Sequence, residues 1–314
     1  MKSSGEAFAL RLDSAGFRGA VLKDEPLAPR STFRIGGAAR LLLEPSDAES
    51  LVAAVSVCRG ADEPFFMLGG GSNIVFPDGA FDRVVVSTGY IGEIIANNGG
   101  AGQEAIVSCG SGCAMARLAA YALENALGGL EAFVGLPGTV GGAVFMNARC
   151  YEREVSDVLA AADYLPASGD ALPKRYAFDR RGWGYKRSPF QHGAVIVGAE
   201  FALRRLSGAE AQASRERAAG YIAERERKGH FRYPSAGSVF KNSRAFGKPS
   251  GQLIDEAGLC GFRIGGAQIA PWHGNIIVNT GGATAADVWA LAEHARRAVQ
   301  ERFGFRLERE IIFA

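Results

Sequence analysis

Hydrophobic positions along the chain switch between two periods. Short apolar runs at Arg40 to Glu44, Phe65 to Leu68, Val84 to Val86, Ala105 to Cys109, Val158 to Tyr164, Ala194 to Leu203 and Asn275 to Val278 predict strands. Between them, apolar residues recur at helical spacing: Leu51, Val52, Val55 and Cys58; Met115, Leu118 and Ala122; Val288, Leu291, Ala295 and Val299. Ser46-x-x-Glu49 and Thr284-x-x-Asp287 are capping-box spellings that predict the starts of the first and last of these helices. Gly128-Gly129 is expected to stop the middle one, and Gly304 the last. The charged stretch Ala209 to Lys228 predicts a solvated connecting helix, and Gln252 to Ala257 a short one ended by Gly258. Asn97-Asn98-Gly99-Gly100 predicts a hairpin turn, and Phe305 to Ala314 a closing strand. Residues 1–30 carry only weak periodicity. The mixed order predicts an α+β protein in three parts, 1–89, 90–210 and 211–314.

Glycine changes that picture. There are 42 in 314 residues, about 13% against an ordinary ~7%, and the excess sits in short loops. Gly135-Leu-Pro-Gly-Thr-Val-Gly-Gly142 leads into the apolar Ala143-Val-Phe-Met-Asn147, and Leu68-Gly-Gly-Gly-Ser-Asn73 follows the strand at Phe65. Without a Cβ the backbone turns sharply and a ligand can touch the main chain. Backbone N–H groups in such turns favour anions. Two such loops, each beside a predicted strand, point to a large phosphorylated ligand held at two places.

Composition narrows the class. Hydrophobic residues make up 47% and charged ones 22%, and the net charge is +2 from 35 basic and 33 acidic residues. That balance predicts neither nucleic acid nor an anionic membrane as partner. The N-terminus is interrupted by Glu6, Arg11 and Asp13 and shows no signal-peptide core, and no apolar stretch is long enough to cross a bilayer. Five cysteines with no Cys-x-x-Cys pair predict free thiols in a reducing, cytoplasmic setting.

The usual chemical signatures are missing. There is no GxGxxG fingerprint, no Walker Gly-Lys-Ser/Thr and no Gly-x-Ser-x-Gly elbow. His192, His230, His273 and His294 have no metal-ligand spacing, so no metal is expected. Two phosphate cradles without those motifs predict a dinucleotide in another fold.

At this point the chain resembles a known family, the flavin-dependent UDP-N-acetylenolpyruvoylglucosamine reductases of peptidoglycan synthesis. The resemblance runs from Thr32 to Phe313. It rests on Thr32-Phe-Arg-Ile-Gly-Gly37, Leu68-Gly-Gly-Gly-Ser-Asn73, Gly135-Leu-Pro-Gly-Thr-Val-Gly-Gly142 with Met146-Asn147, Gly184-Tyr-Lys-Arg-Ser-Pro-Phe190, Pro234-Ser-Ala-Gly-Ser-Val-Phe-Lys-Asn242, Leu253-Ile-Asp-Glu-Ala-Gly-Leu259 and Leu307-Glu-Arg-Glu310. It implies a two-part FAD-binding fold of the vanillyl-alcohol oxidase type over 1–89 and 90–210, and a C-terminal α+β substrate domain over 211–314. The tract between Leu203 and Gly220 is too short for the substrate-clamping loop of one subclass, which implies the subclass without it.

The family's reaction, carried over, gives roles to residues. NADPH reduces a non-covalent FAD, and the flavin then passes hydride to the methylene carbon of UDP-N-acetylglucosamine enolpyruvate. That alkene already bears a carboxylate, so hydride addition builds a dianion-like enolate, and fixed positive charge and donors stabilise it. A proton must reach the other alkene carbon. The resemblance assigns Leu68, Gly69, Gly70, Gly71, Ser72, Asn73, Gly135, Pro137, Gly138, Thr139, Gly141 and Gly142 to the cofactor. It assigns Tyr185, Arg225, Lys228 and Asn242 to the UDP-sugar, Ser238 to proton donation and Glu310 to the enolate. In an extended segment Ser238, Phe240 and Asn242 would share one face.

Departures from the family pattern fall near these residues. Lys186 stands where the family's carboxylate-binding arginine is common. Lysine is a point charge without the bidentate fork, and Arg187 would replace it only if the backbone shifted by one residue. Ala148-Arg-Cys-Tyr-Glu152 replaces Ala-Gly-Ala-Tyr-Gly, which leaves Arg149 either near the flavin or merely in an altered turn. Ile312 stands for an arginine and Gly229-His230 for Gln-Pro. Two other readings are an oxidase of the same fold acting on another sugar or alcohol, and a flavin- or nucleotide-binding protein without turnover.

Overall fold

The computed structural model describes residues 4–97, 102–169 and 171–314. Cα packing divides the chain into two compact units, one of residues 1–23, 41–70 and 83–223 and one of residues 24–40, 71–82 and 224–314. Both of the N-terminal parts expected from the sequence contribute to the first unit.

The first unit is built from helices α1 (Ser4–Ser14), α2 (Ala48–Gly60), α3 (Met115–Glu124), α4 (Val140–Phe145) and most of α5 (Gly208–Arg227). The run Phe65–Leu68 forms a strand parallel to Phe81–Ser87, paired Phe65↔Val84 through Leu68↔Ser87. A six-stranded sheet contains Lys174–Ala177, Leu159–Leu165, Val195–Arg205, Glu104–Gly110 and Ile94–Asn97 in that order, with Leu127–Gly128 paired to the central strand. Its ladders are antiparallel. The turn expected at Asn97–Gly100 falls mostly outside the described residues, but Asn97 pairs with Ile106, as a hairpin requires. Only Leu206 and Ser207 separate the strand ending at Arg205 from α5, which leaves no room there for an inserted loop.

Three sequence expectations need correcting. The N-cap of α2 is Asp47, not Ser46: its carboxylate accepts from the Ser50 N–H at 2.8 Å, and Glu49 instead binds Arg18. That backbone bond is the first cause holding the Asp47 carboxyl well below the usual range, because it favours the charged form. Helix α3 ends at Glu124, before Gly128, whose residue is a strand position paired with Arg204. Its apolar face, Met115, Leu118, Ala119 and Ala122, is buried as the spacing predicts. At the C-terminus only Ile312–Phe313 forms a ladder, and Arg309 makes an isolated bridge to Phe240.

The second unit packs α6 (Ser250–Glu256) and α7 (Ala285–Phe303) with a four-stranded sheet of order Ser235–Ser238, Ile276–Asn279, Ala267–Ile269, Arg263–Ile264. The capping box on α7 forms as expected, with the Asp287 N–H donating to Thr284 Oγ1 at 3.0 Å and the Thr284 N–H to Asp287 Oδ2 at 3.1 Å. Gly304 ends the helix at φ 75°, the left-handed conformation that glycine adopts without strain. Val288, Leu291, Ala292, Ala295 and Val299 join Phe33, Phe240 and Ile254 in one core, each large side chain contributing roughly 1.5–3 kcal/mol by leaving water. Ile312 and Phe313 lie parallel to Ile74 and Val75.

Candidate functional site

In the first unit, three backbone turns meet at the end of the Phe65–Leu68 strand. A Cβ on Gly69 would lie 2.5 Å from Thr139 Oγ1, one on Gly70 2.7 Å from Gly138 Cα, and one on Gly141 2.9 Å from Ser111 Cβ. Only glycine lets these turns approach so closely. Gly135 and Gly138 add positive φ values of 67° and 104°. The turns are laced together: Val140 N–H donates to Cys113 O at 2.8 Å, Gly141 N–H to Ser111 O at 2.8 Å, and Met115 N–H to Gly138 O at 3.0 Å. Gly142 N–H donates to Thr139 Oγ1 at 3.4 Å. So four of the N–H groups of Gly135–Gly142 that the sequence offered to an anion, those of Leu136, Val140, Gly141 and Gly142, are engaged within the protein.

A cleft opens against these turns, with about 490 Å³ of empty space, its open mouth included. Met67, Phe145, Val195 and Ile196 give it apolar walls, and Thr88 and Ser111 polar points. Ser111 is 1% exposed, and its Oγ has no hydrogen-bond partner among the described residues. An unsatisfied buried hydroxyl is costly, so this oxygen is poised to take a hydrogen bond with a polar ligand group in the cleft. Apolar walls, close backbone approach and an unspent hydroxyl fit a flavin dinucleotide. Ser111 was not singled out in the sequence. Its position inside Gly110-Ser-Gly112 is the signal that was available.

The segment Gly184–Arg187 is a closed turn in the same unit. Gly184 N–H donates to Arg187 O at 3.1 Å and Arg187 N–H to Gly184 O at 3.0 Å. Lys186 sits at its corner with φ 54°. Two side chains hold the turn. The buried Asn147 donates from Nδ2 to Gly184 O at 2.8 Å, and the Ser188 hydroxyl to Phe145 O at 2.6 Å. Lys186 is half-buried with Nζ 6.0 Å from the centroid of the exposed Tyr185 ring. Arg187 is exposed and folds its guanidinium back toward Gly184. The two neighbours diverge, as adjacent residues at a tight turn must.

In the second unit, Ser238 ends its strand, paired with Ile276. The simple alternation expected beyond it does not hold. Gly237 takes φ 73°, the register shifts between Ser235 and Ser238, and Val239 and Phe240 both enter the core. Asn275, which sequence reasoning missed, fixes this bend: its Oδ1 accepts from Phe240 N–H and its Nδ2 donates to Phe240 O, both at 2.8 Å. The main chain sets Glu310 against Val239, the residue after Ser238, with the Glu310 N–H donating to Val239 O at 2.8 Å. Asn73 Nδ2 donates to Glu310 O at 3.2 Å, so that amide supports the Glu310 segment. Gly71 fits only as glycine there, since a Cβ would lie 2.3 Å from Arg30 O. Asn242 Oδ1 accepts from Ser250 N–H at 2.8 Å and fixes the entry to α6.

Arg225 is buried, and Lys228 pairs with Glu224. Beside them, His230 and His273 lie with ring centroids 6.0 Å apart. Burial, then the charge of Arg225, then His273, depresses His230 to about 4, and burial lowers His273. The His230 imidazole is therefore neutral in the folded protein at pH 6, where an unfolded histidine is already mostly protonated. Its stability contribution is complete above pH 6.5 and is lost as pH falls toward about 4. Urea unfolding at pH 7 and pH 5 checks this. The native protein is expected to lose about 1–2 kcal/mol more than His230→Gln across that interval, after allowance for solvent screening of a half-exposed ring.

The comparisons agree with this geometry. Residues 39–172 match the model of an FAD binding domain, and residues 229–314 that of the UDP-N-acetylenolpyruvoylglucosamine reductase C-terminal domain. The UDP-N-acetylenolpyruvoylglucosamine reductase of Treponema denticola is 41% identical over 301 residues, covering 92% of this chain and 92% of the relative. That of Treponema pallidum is 42% identical over 329 residues, covering 93% of each. The crystal structure of the Thermus caldophilus UDP-N-acetylenolpyruvylglucosamine reductase superposes with a TM-score of 0.75 at 31% identity, covering 94% of this chain and 98% of that one. An FAD-binding fold followed by this C-terminal domain, over nearly the whole length, places the chain in the UDP-N-acetylenolpyruvoylglucosamine reductase family.

Proposed function

We propose that this chain reduces UDP-N-acetylglucosamine enolpyruvate to UDP-N-acetylmuramate, using NADPH and a non-covalent FAD, as a cytoplasmic step of peptidoglycan synthesis. The observation that carries the cofactor assignment is the cleft at Ser111, where an unsatisfied buried hydroxyl faces glycines that tolerate no Cβ. Neither glycine loop contains a histidine, which supports a flavin held without a covalent bond. FAD held by these turns would supply two-electron hydride chemistry between NADPH and the methylene carbon of the enolpyruvyl group.

The protein's residues do the rest. Leu68–Asn73 and Gly135–Gly142 hold the cofactor by close main-chain approach. Lys186 binds the substrate carboxylate, which carries the extra charge once hydride has added. The Ser238 hydroxyl gives its proton to the carbon bearing the ether oxygen, completing the saturated product. Glu310 acts on the same enolate, while Arg225, Lys228, Asn242 and Tyr185 bind the UDP-sugar.

Mass spectrometry of the product from NADPH and UDP-N-acetylglucosamine enolpyruvate tests this function. UDP-N-acetylmuramate, formed in one-to-one ratio with NADP⁺, is the expected result. NADPH consumed only in proportion to oxygen, with the sugar nucleotide unchanged, would contradict it and favour the oxidase reading. The choice of cation is tested separately. Lys186→Ala is expected to raise the KM for the enolpyruvyl substrate about tenfold or more, and Arg187→Ala to leave it within about twofold. The reverse order would transfer the role to Arg187.

A further inference from the structure

We infer that Arg149 is a second carboxylate-binding cation, acting with Lys186 to supply what a single arginine fork would otherwise provide. This rests on the proposal that the Gly184–Arg187 turn meets the substrate carboxylate. Arg149 and Lys186 flank one ring: the Arg149 guanidinium carbon lies 5.7 Å and Lys186 Nζ 6.0 Å from the centroid of Tyr185. The pairing departs from the pattern the chain resembles, in which Arg149 stands at a Gly position and Lys186 at an arginine position.

The backbone commits unusual geometry to the arrangement. Of the eight non-glycine residues with positive φ among the described residues, Asn147, Tyr151, Glu152 and Lys186 lie in these two short segments. Such conformations are strained for residues with a Cβ and concentrate where side chains must be aimed. Tyr151 and Glu152 occupy a two-residue hairpin turn between Arg149–Cys150 and Arg153–Glu154, with Arg149 opposite Glu154. The Tyr151 ring stacks on Tyr221 at 4.1 Å, and its hydroxyl donates to Tyr221 O at 3.1 Å. Asn147 ties the two segments together, bonding Gly184 O at 2.8 Å and Glu154 Oε2 at 3.0 Å through Nδ2. Arg149 is thus held over Tyr185 by a fixed hairpin.

Electrostatics identifies the ligand class. Both cations are drawn to the electron-rich ring of Tyr185, which gathers positive charge at one place. The Arg149 partner Glu152 is 92% exposed and pairs at 3.1 Å, a surface contact of the kind that contributes little. A carboxylate within reach of both guanidinium and ammonium would gain charge-assisted hydrogen bonds from each.

Calorimetric binding to the FAD-loaded protein tests this, with UDP-N-acetylglucosamine enolpyruvate and with UDP-N-acetylglucosamine, which keeps the diphosphate but lacks the carboxylate. Arg149→Ala is expected to weaken the first about tenfold and leave the second within about twofold, with partial recovery in Arg149→Lys. Unchanged flavin content and melting temperature exclude a folding defect. Equal weakening of both ligands would assign Arg149 to the diphosphate, and no weakening of either would remove it from binding; each outcome overturns the inference. Lys186→Ala in the same assay separates the two claims. If Lys186→Ala discriminates between the ligands and Arg149→Ala does not, the inference alone fails. If Lys186→Ala discriminates between neither, the assignment of the turn to the carboxylate fails with it.

Discussion

Ser238→Ala is expected to keep its flavin, to be reduced by NADPH at the native rate, and to return hydride to the enolpyruvyl substrate roughly 10²–10⁴-fold more slowly, the range for loss of a positioned general acid. The split between half-reactions is the informative part. Hydride addition alone turns the substrate carboxylate into a dianionic enolate, and that charge persists until the adjacent carbon is protonated. Ser238 occupies the last position of a strand paired at Ile276, one residue from the main-chain bond between Glu310 N–H and Val239 O. Asn275 fixes Phe240, two residues further on, through both its N–H and its carbonyl, so alanine at 238 removes the hydroxyl without moving its support. Rapid-mixing spectroscopy of the two half-reactions reads the effect directly. Slowing of both by the same factor would mean a damaged flavin site, and slowing of neither would remove Ser238 from proton delivery.

Gly70→Ala is expected to lower cofactor content sharply. Its new methyl would stand 2.7 Å from Gly138 Cα, main chain against main chain, with no flexible side chain to yield. Overpacking of this kind costs about 1–3 kcal/mol, and the strain falls between the two glycine turns that bound the cleft. The dissociation constant for FAD should rise about tenfold or more, since 1.4 kcal/mol is a factor of ten in binding, and the flavin-to-protein ratio after purification should fall with it. Gly60→Ala is the matched control. A Cβ there meets nothing within 4 Å and lies at the end of α2, so flavin content should match the native protein. Full flavin content in Gly70→Ala would show that the turns can separate without loss of the cofactor.

Much of this was legible before the structure because it depends on local rules. The Thr284–Asp287 cap, the buried stripe of α7 and the Phe65–Leu68 strand follow from spacing alone. The two glycine loops were visible as composition. Why each position must be glycine was not, because the limiting contacts join residues far apart in sequence, such as Gly70 with Gly138 and Gly141 with Ser111. The same reason hid Asn275, whose partner is Phe240, and the unsatisfied Ser111 hydroxyl. The errors were also physical. Asp47 took the α2 cap from Ser46 because the Arg18 main chain engages the Ser46 hydroxyl, with Ser46 Oγ donating to Arg18 O at 3.0 Å. A bulge at Gly237 defeated the period-two argument around Ser238, since a single positive φ redirects every following side chain.

Return of electrons from the reduced flavin to the enolpyruvyl sugar nucleotide is the step on which the account depends. It is measured most directly by reducing the purified protein with one equivalent of NADPH without oxygen, then adding UDP-N-acetylglucosamine enolpyruvate. The account predicts recovery of the oxidised flavin spectrum with one UDP-N-acetylmuramate formed per flavin. A flavin that stays bleached until oxygen is admitted would contradict it.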